Sequence, residues 1–130
     1  MVVDTSAILT IVFQEPEAER MATALAHESA KRMSTVSWLE TLLVAEARLG
    51  PASADDTLLI LRELDIQAVP FDLEQMYEAR RAWRRFGKGR HPAGLNLGDC
   101  CSYALAATRS EPLLFKGDDF GNTDIPPVLW

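Results

Sequence analysis

The chemistry open to this chain rests on a few acids: Asp4, Glu40, Asp99 and the adjacent pair Asp118 and Asp119. Carboxylates gathered in one place repel one another and raise each other's pKa unless a cation sits among them. One to three carboxylates completed by water form the hard-oxygen environment that Mg²⁺ or Mn²⁺ prefers. The only histidines are His27 and His91, too few for a histidine-based zinc site. Cys100 and Cys101 are adjacent, a spacing that neither staples distant segments nor matches a metal-binding pair. No nucleophile–histidine constellation stands out, and the GKG of Gly87–Gly89 is too little for a phosphate-cradling loop.

Each acid also has a purely structural use. Asp4 closes the apolar opening MVVD and reads either as a helix N-cap or as a ligand at a strand end. Ser37-x-x-Glu40 has the form of a capping box. Asp99 stands before an apolar run and can be an N-cap, and Asp118 and Asp119 suit a turn. Only an architecture that gathers these positions favours the metal-binding alternative.

Hydrophobic patterning supplies such an architecture. Short β-prone runs at Met1–Asp4, Arg32–Val36, Ile66–Val69 and Pro112–Lys116, with a further candidate at Val128–Trp130, alternate with helical patterns. Helices are expected after Pro16, with that proline in the first turn, and over Ser37–Gly50 with a glycine stop before Pro51. Others are expected from Ser53, which starts with a cap and acids, from Asp72, and from Gly98. Strands alternating with helices predict a three-layer α/β/α domain on a mainly parallel sheet. Asp4, Glu40, Asp99 and Asp118–Asp119 then all fall at strand ends or helix starts, which one edge of such a sheet can collect.

With 130 residues, 48% apolar and 25% charged, the chain reads as one domain, residues 1–130, of an ordinary globular protein. No apolar stretch is long enough to span a bilayer, and Ala7–Phe13 is a poor signal peptide, so a cytoplasmic protein without a membrane partner is expected. The net charge of −6 argues against a simple nucleic-acid coat. Its distribution is uneven. RRAWRRFGKGRH, Arg80–His91, holds six of the thirteen Lys and Arg residues and no acid. A solvated helix face and loop would account for such a run by itself.

The opening MVVDTSAIL, an acid near residue 40, FGKGRHPAGLN leading into GDCCSYALA, and PLLFKGDDFGNTDI near the end together resemble PIN-domain proteins. Within them the subgroup is similar to VapC-type toxins of bacterial toxin–antitoxin pairs, in motif order over essentially the whole chain. The resemblance implies a metal-dependent endoribonuclease that uses Mg²⁺ or Mn²⁺, with an acidic cluster on a parallel-sheet α/β/α domain. Carried over by position, Asp4, Glu40 and Asp99 match the dependable acids, with Asp4 and Asp99 binding metal and Glu40 holding a second ion or a water. Many members place a fourth acid where this chain has Gly117. Asp119 matches the aspartate before the phenylalanine, and Asp118 is its rival. Ser6 matches a small hydroxyl residue that orients a water. The resemblance also implies a cognate antitoxin, whose basic side chain enters the acidic pocket, an RNA substrate and a homodimer. An acidic pocket repels RNA, so some of Arg80, Arg84, Arg85, Lys88 and Arg90 are expected to hold phosphates outside it, with Trp83 expected in the core.

Two rival readings use the same acids. A PIN fold that has lost catalysis would be a silent binding module. A phosphoacceptor receiver domain would use Asp72 near a strand end and Lys116 after a late strand. It wants paired acids after the first strand, where this chain has Asp4 followed by Thr5, and Pro70 sits awkwardly for it.

Overall fold

The computed structural model describes all 130 residues, Met1–Trp130. Four strands form one sheet: β1 (Val2–Val3), β2 (Lys31–Ser34), β3 (Ile66–Val69) and β4 (Leu113–Leu114). Their order is β3-β2-β1-β4, and every pairing is parallel, with Val2 opposite both Arg32 and Leu113. The helices are α1 (Thr5–Val12), α2 (Ala18–Ala26), α3 (Thr35–Leu49), α4 (Ala52–Glu63), α5 (Leu73–Phe86) and α6 (Leu97–Arg109).

Successive residues of a strand face opposite sides of a sheet, and here that alternation divides two cores. Val2 and Leu113 pack with Ala82, Phe86 and Leu105 from α5 and α6. Val3 and Leu114 pack with Ile8, Met21 and Leu61 from α1, α2 and α4. The expected three-layer α/β/α architecture follows. Strands two residues long suffice because Val2, Val3, Leu113 and Leu114 are all fully buried.

Several boundaries differ from expectation. Val128–Trp130 is no strand; the segment makes a single bridge, Leu113 with Pro127. Pro126 and Pro127 have no N–H to continue a ladder. Helix α1 lies in the apolar run after Asp4, where no polar alternation marked a helix. Pro16 lies ahead of α2, whose N-cap is Glu17 with no side-chain bond. Helix α4 starts at Ala52 after Pro51, and the Ser53 hydroxyl donates to the Gly50 carbonyl instead of capping.

The order of the strands matters for function. From β1 the chain builds outward to β2 and β3 on one side, then returns to place β4 on the other. Open α/β sheets bind ligands outside the carboxyl ends of their strands, where the order reverses. Here that point lies between β1 and β4, the strands that lead into Asp4 and into Gly117–Asp119.

Candidate active site

Asp4 follows β1 directly and is only 4% exposed. Its Oδ2 accepts from the Ser6 amide (2.9 Å) and hydroxyl (2.7 Å), so it does cap α1. Its Oδ1 accepts from the Ser102 hydroxyl at 2.6 Å. These three donors satisfy both buried oxygens of the carboxylate. Ser102 in turn lies 3.0 Å from the Ser37 hydroxyl, which ties α6 and α3 to the end of β1. Ser6 accepts from the Lys116 amide at 3.0 Å, tying in the segment after β4. Ser6 therefore fastens Asp4 and the β1–β4 edge together.

Glu40 stands inside α3. The N-cap is Ser34, whose hydroxyl accepts from the Val36 amide, so the expected Ser37–Glu40 capping box does not form. Ser37 is fully buried in the helix and Glu40 is released from capping. The Thr5 hydroxyl donates to Glu40 Oε2 at 2.6 Å. A Cβ at Gly98 would lie 2.6 Å from both Glu40 oxygens, so the carboxylate rests on the bare backbone of the first turn of α6. That turn is the positive end of the helix.

Asp99 occupies the same turn. The cap is Asn96, and Asp99 is the reciprocal member of a capping box: its amide donates to Asn96 Oδ1 (3.0 Å), and its Oδ2 accepts from the Asn96 amide (2.8 Å). The N-cap reading of Asp99 does not hold, since the residue lies three positions inside the cap. Burial pushes its carboxyl up to about 6; the Asn96 hydrogen bond opposes the rise, and the charges of Asp4, Asp119 and Glu40 add to it. Asp4, Asp119 and Glu40 thus each lie close enough to act on Asp99.

Asp119 is exposed and its side chain makes no cap bond to the 3-10 turn Phe120–Asn122. Its charge acts on Asp99. Asp118 is exposed as well, and its carbonyl accepts from Asn122. Gly117 has φ +107°, a backbone conformation that disfavours an aspartate in that slot.

No three of the chain's His, Cys, Asp and Glu residues close into a ready-made metal cage. The donor set is nevertheless that of a hard cation: carboxylates and hydroxyls, with mutual repulsion at Asp99 that a cation would relieve. Mg²⁺ keeps several waters and needs few protein ligands, so an open group of acids fits it. Cys100 and Cys101 are buried and unpaired; burial pushes both thiols up to about 11, which leaves them as inert filling.

The residues of the receiver-domain reading are occupied elsewhere. Asp72 caps α5 through the Gln75 amide, and Lys116 pairs with Glu15 (2.6 Å) and Glu17 (2.7 Å). In the basic stripe, Arg84, Lys88 and Arg90 are exposed, and Arg85 pairs with Asp124 at 2.8 Å. Trp83, expected in the core, is 42% exposed with the Arg90 guanidinium 4.0 Å above its ring. The buried stripe of α5 runs through Gln75, Ala79, Ala82 and Phe86, and Trp83 sits one residue off it.

Sequence reasoning passed over Thr5, Gly98 and Ser102. Ser102 had a signal: it is the polar residue in the apolar run CCSYALA, three residues after Asp99 and so on the same side of α6. Thr5 and Gly98 had none, since their partner Glu40 is remote in sequence.

Comparison with known proteins places the whole chain among relatives. The PIN domain family model matches residues 1–126. The protein named Ribonuclease VapC of Mycolicibacterium smegmatis is 48% identical over 128 residues, covering 98% of this chain and 99% of that one. Among solved structures, the Mycobacterium tuberculosis toxin VapC20, described as cleaving the sarcin–ricin loop, superposes with a TM-score of 0.81 at 15% identity, covering 98% and 97% of the two chains. A toxin–antitoxin complex from Klebsiella pneumoniae superposes with a TM-score of 0.69 at 17% identity, covering 95% and 92%.

Proposed function

This chain belongs to the PIN-domain family, among its VapC ribonucleases, and from that premise we propose how it works. It is the toxin of a toxin–antitoxin pair, an endoribonuclease that hydrolyses RNA phosphodiesters at the acidic edge between β1 and β4. The observation that carries the site assignment is the convergence on the start of α6, where Ser102 holds Asp4 and Gly98 abuts Glu40, on either side of Asp99.

Nucleases of this family generally depend on a divalent metal. Asp4 and Asp99 would hold Mg²⁺ or Mn²⁺, with Glu40 beside them. Bound there, the cation supplies charge neutralisation at the phosphoryl oxygens and acidity to a water nucleophile. The chain's own residues do the rest. Ser6 and Ser102 fix both oxygens of Asp4, and Thr5 fixes one oxygen of Glu40, so neither carboxylate must reorganise during the reaction. Asp119 is the fourth acid, an outer acceptor for water, since it acts on Asp99 and makes no cap bond. Arg84, Lys88 and Arg90 hold RNA phosphates outside the acidic edge.

A cognate antitoxin silences the site by directing a basic side chain among the acids. Residues 1–130 work as one domain and as a homodimer in the cytoplasm; no helix of the structure is long and apolar enough to cross a membrane.

The test is cleavage of mixed RNA by purified, antitoxin-free protein with and without Mg²⁺ or Mn²⁺, beside Asp99→Asn. Metal-dependent cuts that fall about 100-fold or more in the variant are expected. Equal activity in the variant would remove the site assignment. No cutting by either protein, with metal affinity also absent, would favour the silent binding module.

A further inference from the structure

The exposed indole of Trp83 is unexplained by folding. Its neighbour Phe86 fills the core at 8% exposure, whereas Trp83 keeps 42% of its surface in solvent. Two features hold the ring in place. A Cβ at Gly87 would lie 2.7 Å from Trp83 Cδ1, so the indole rests against backbone that only glycine leaves open. The Arg90 guanidinium covers the ring at 4.0 Å. Arg90 lies in the loop after α5, which is clipped to the root of α6: the Lys88 amide donates to the Leu95 carbonyl (3.0 Å), and the Leu95 amide to that of Phe86 (2.9 Å). The residue after Leu95 is Asn96, which caps the helix carrying Asp99.

The surroundings point to a polyanion. No acid occurs between Arg80 and Gly98. Arg81 and Arg85 are engaged by Glu78 and Asp124, but Arg80, Arg84, Lys88 and Arg90 form no ion pair. Tyr77, Arg80, Arg81 and Arg84 line a notch of about 280 Å³ on the same helix. An exposed aromatic ring among unpaired cations is the pattern by which single strands are held, with bases on the ring and phosphates on the cations. Guanidinium planes take part in the same stack.

We propose that Trp83 and Arg90 form a stacking platform for an unpaired base of the RNA, with Arg84 and Lys88 holding the adjoining phosphates. The proposal rests on the ribonuclease reading and adds to it the residue that selects single-stranded substrate. A platform of this kind contributes base affinity that is insensitive to salt, whereas the cations contribute affinity that is steeply sensitive.

The experiment measures binding of a short oligouridylate, and of the same oligomer lacking its bases, over a salt series with EDTA present to prevent cleavage. Trp83→Leu keeps the apolar cover without a π-face, Trp83→Phe restores a ring, and Arg84→Ala with Lys88→Ala removes cations. Expected are an about tenfold loss of oligouridylate affinity in Trp83→Leu at unchanged salt slope, recovery in Trp83→Phe, and no change for the baseless oligomer. The double alanine variant flattens the slope for both oligomers. Equal oligouridylate affinity in Trp83→Leu and the parent, or equal losses for both oligomers, overturns the platform. Cleavage assayed in the same preparations separates the two readings. Cutting with no dependence on Trp83 overturns only the platform, and neither binding nor cutting overturns the ribonuclease as well.

Discussion

At the scale of single residues, capping leaves the acids of this chain free for a second use. Asp4 caps α1 and Asp99 completes a capping box, and the proposed metal role asks each for a further lone pair. The structural and chemical uses are not alternatives, because a carboxylate oxygen that accepts an amide keeps further lone pairs. Glu40 is the exception, freed from capping because Ser34 takes that role one turn earlier. Its place depends on Gly98. Gly98→Ala should favour α6 by helix propensity, since glycine is about 1 kcal/mol less favourable than alanine in a helix. The added methyl must nevertheless displace the Glu40 carboxylate. A catalytic group misplaced by about 1 Å can lose on the order of 10²-fold in rate. Steady-state cleavage and thermal melting of Gly98→Ala should therefore move in opposite directions; a stable variant with full activity would remove Glu40 from the machinery.

At the scale of elements, α3 is the hinge of the arrangement. It packs on α1, α4 and α6 and brings Ser37, Thr41 and Ala45 inside. Its opposite side leaves Leu39 at 56% and Leu43 at 57% exposed, beside Leu97 at 77%. These leucines, with Val36 and Val44, border a hollow of about 460 Å³ that reaches Glu40 and Gly98. Exposed apolar surface of this kind marks an interaction site more often than a solvated face. The homodimer proposed above is tested at this face. Leu39→Glu with Leu43→Glu should convert the protein to single chains in light scattering while melting little lower, because neither leucine is in a core cluster. A dimer that survives both changes would place the contact elsewhere.

At the scale of the whole molecule, the acidic edge makes stability depend on pH. Asp99 carries a carboxyl raised to about 6, so the folded protein holds that proton more tightly than the unfolded chain does. The sign follows: this group's contribution is most favourable below the ordinary carboxylate pKa and is lost as pH rises through about 6. Metal-free protein should accordingly melt at a lower temperature at pH 7 than at pH 5, once compared with Asp99→Asn, in which this dependence is absent. A divalent cation bound by Asp99, as proposed, would compete with the same proton and should raise the melting temperature more at pH 7 than at pH 5. Stabilisation by metal that is equal at both pH values would mean that Asp99 is not a ligand. The charge of the molecule is divided accordingly: acids gather at the β1–β4 edge, and exposed cations gather on α5 and the loop after it.

The sequence by itself determined the alternation of strands and helices, the parallel three-layer class and the family. These depend on local periodicity and on motifs such as LNLGDC and LLFKGDDF, which any stretch of chain displays without knowing its neighbours. It also singled out Asp4, Glu40 and Asp99, although Glu40, expected in the first turn of its helix, lies beyond the first turn of α3. Which residue caps each helix was decided by the fold, since Ser34 against Ser37 and Asn96 against Asp99 differ only in where the preceding segment turns. So was the burial of helix α1, whose apolar run has no polar face to reveal its period. The partners that orient the acids belong wholly to tertiary structure. Ser102 reaches Asp4 across 98 positions of chain and Thr5 reaches Glu40 across 35, contacts that exist only once β1, α3 and α6 share one edge.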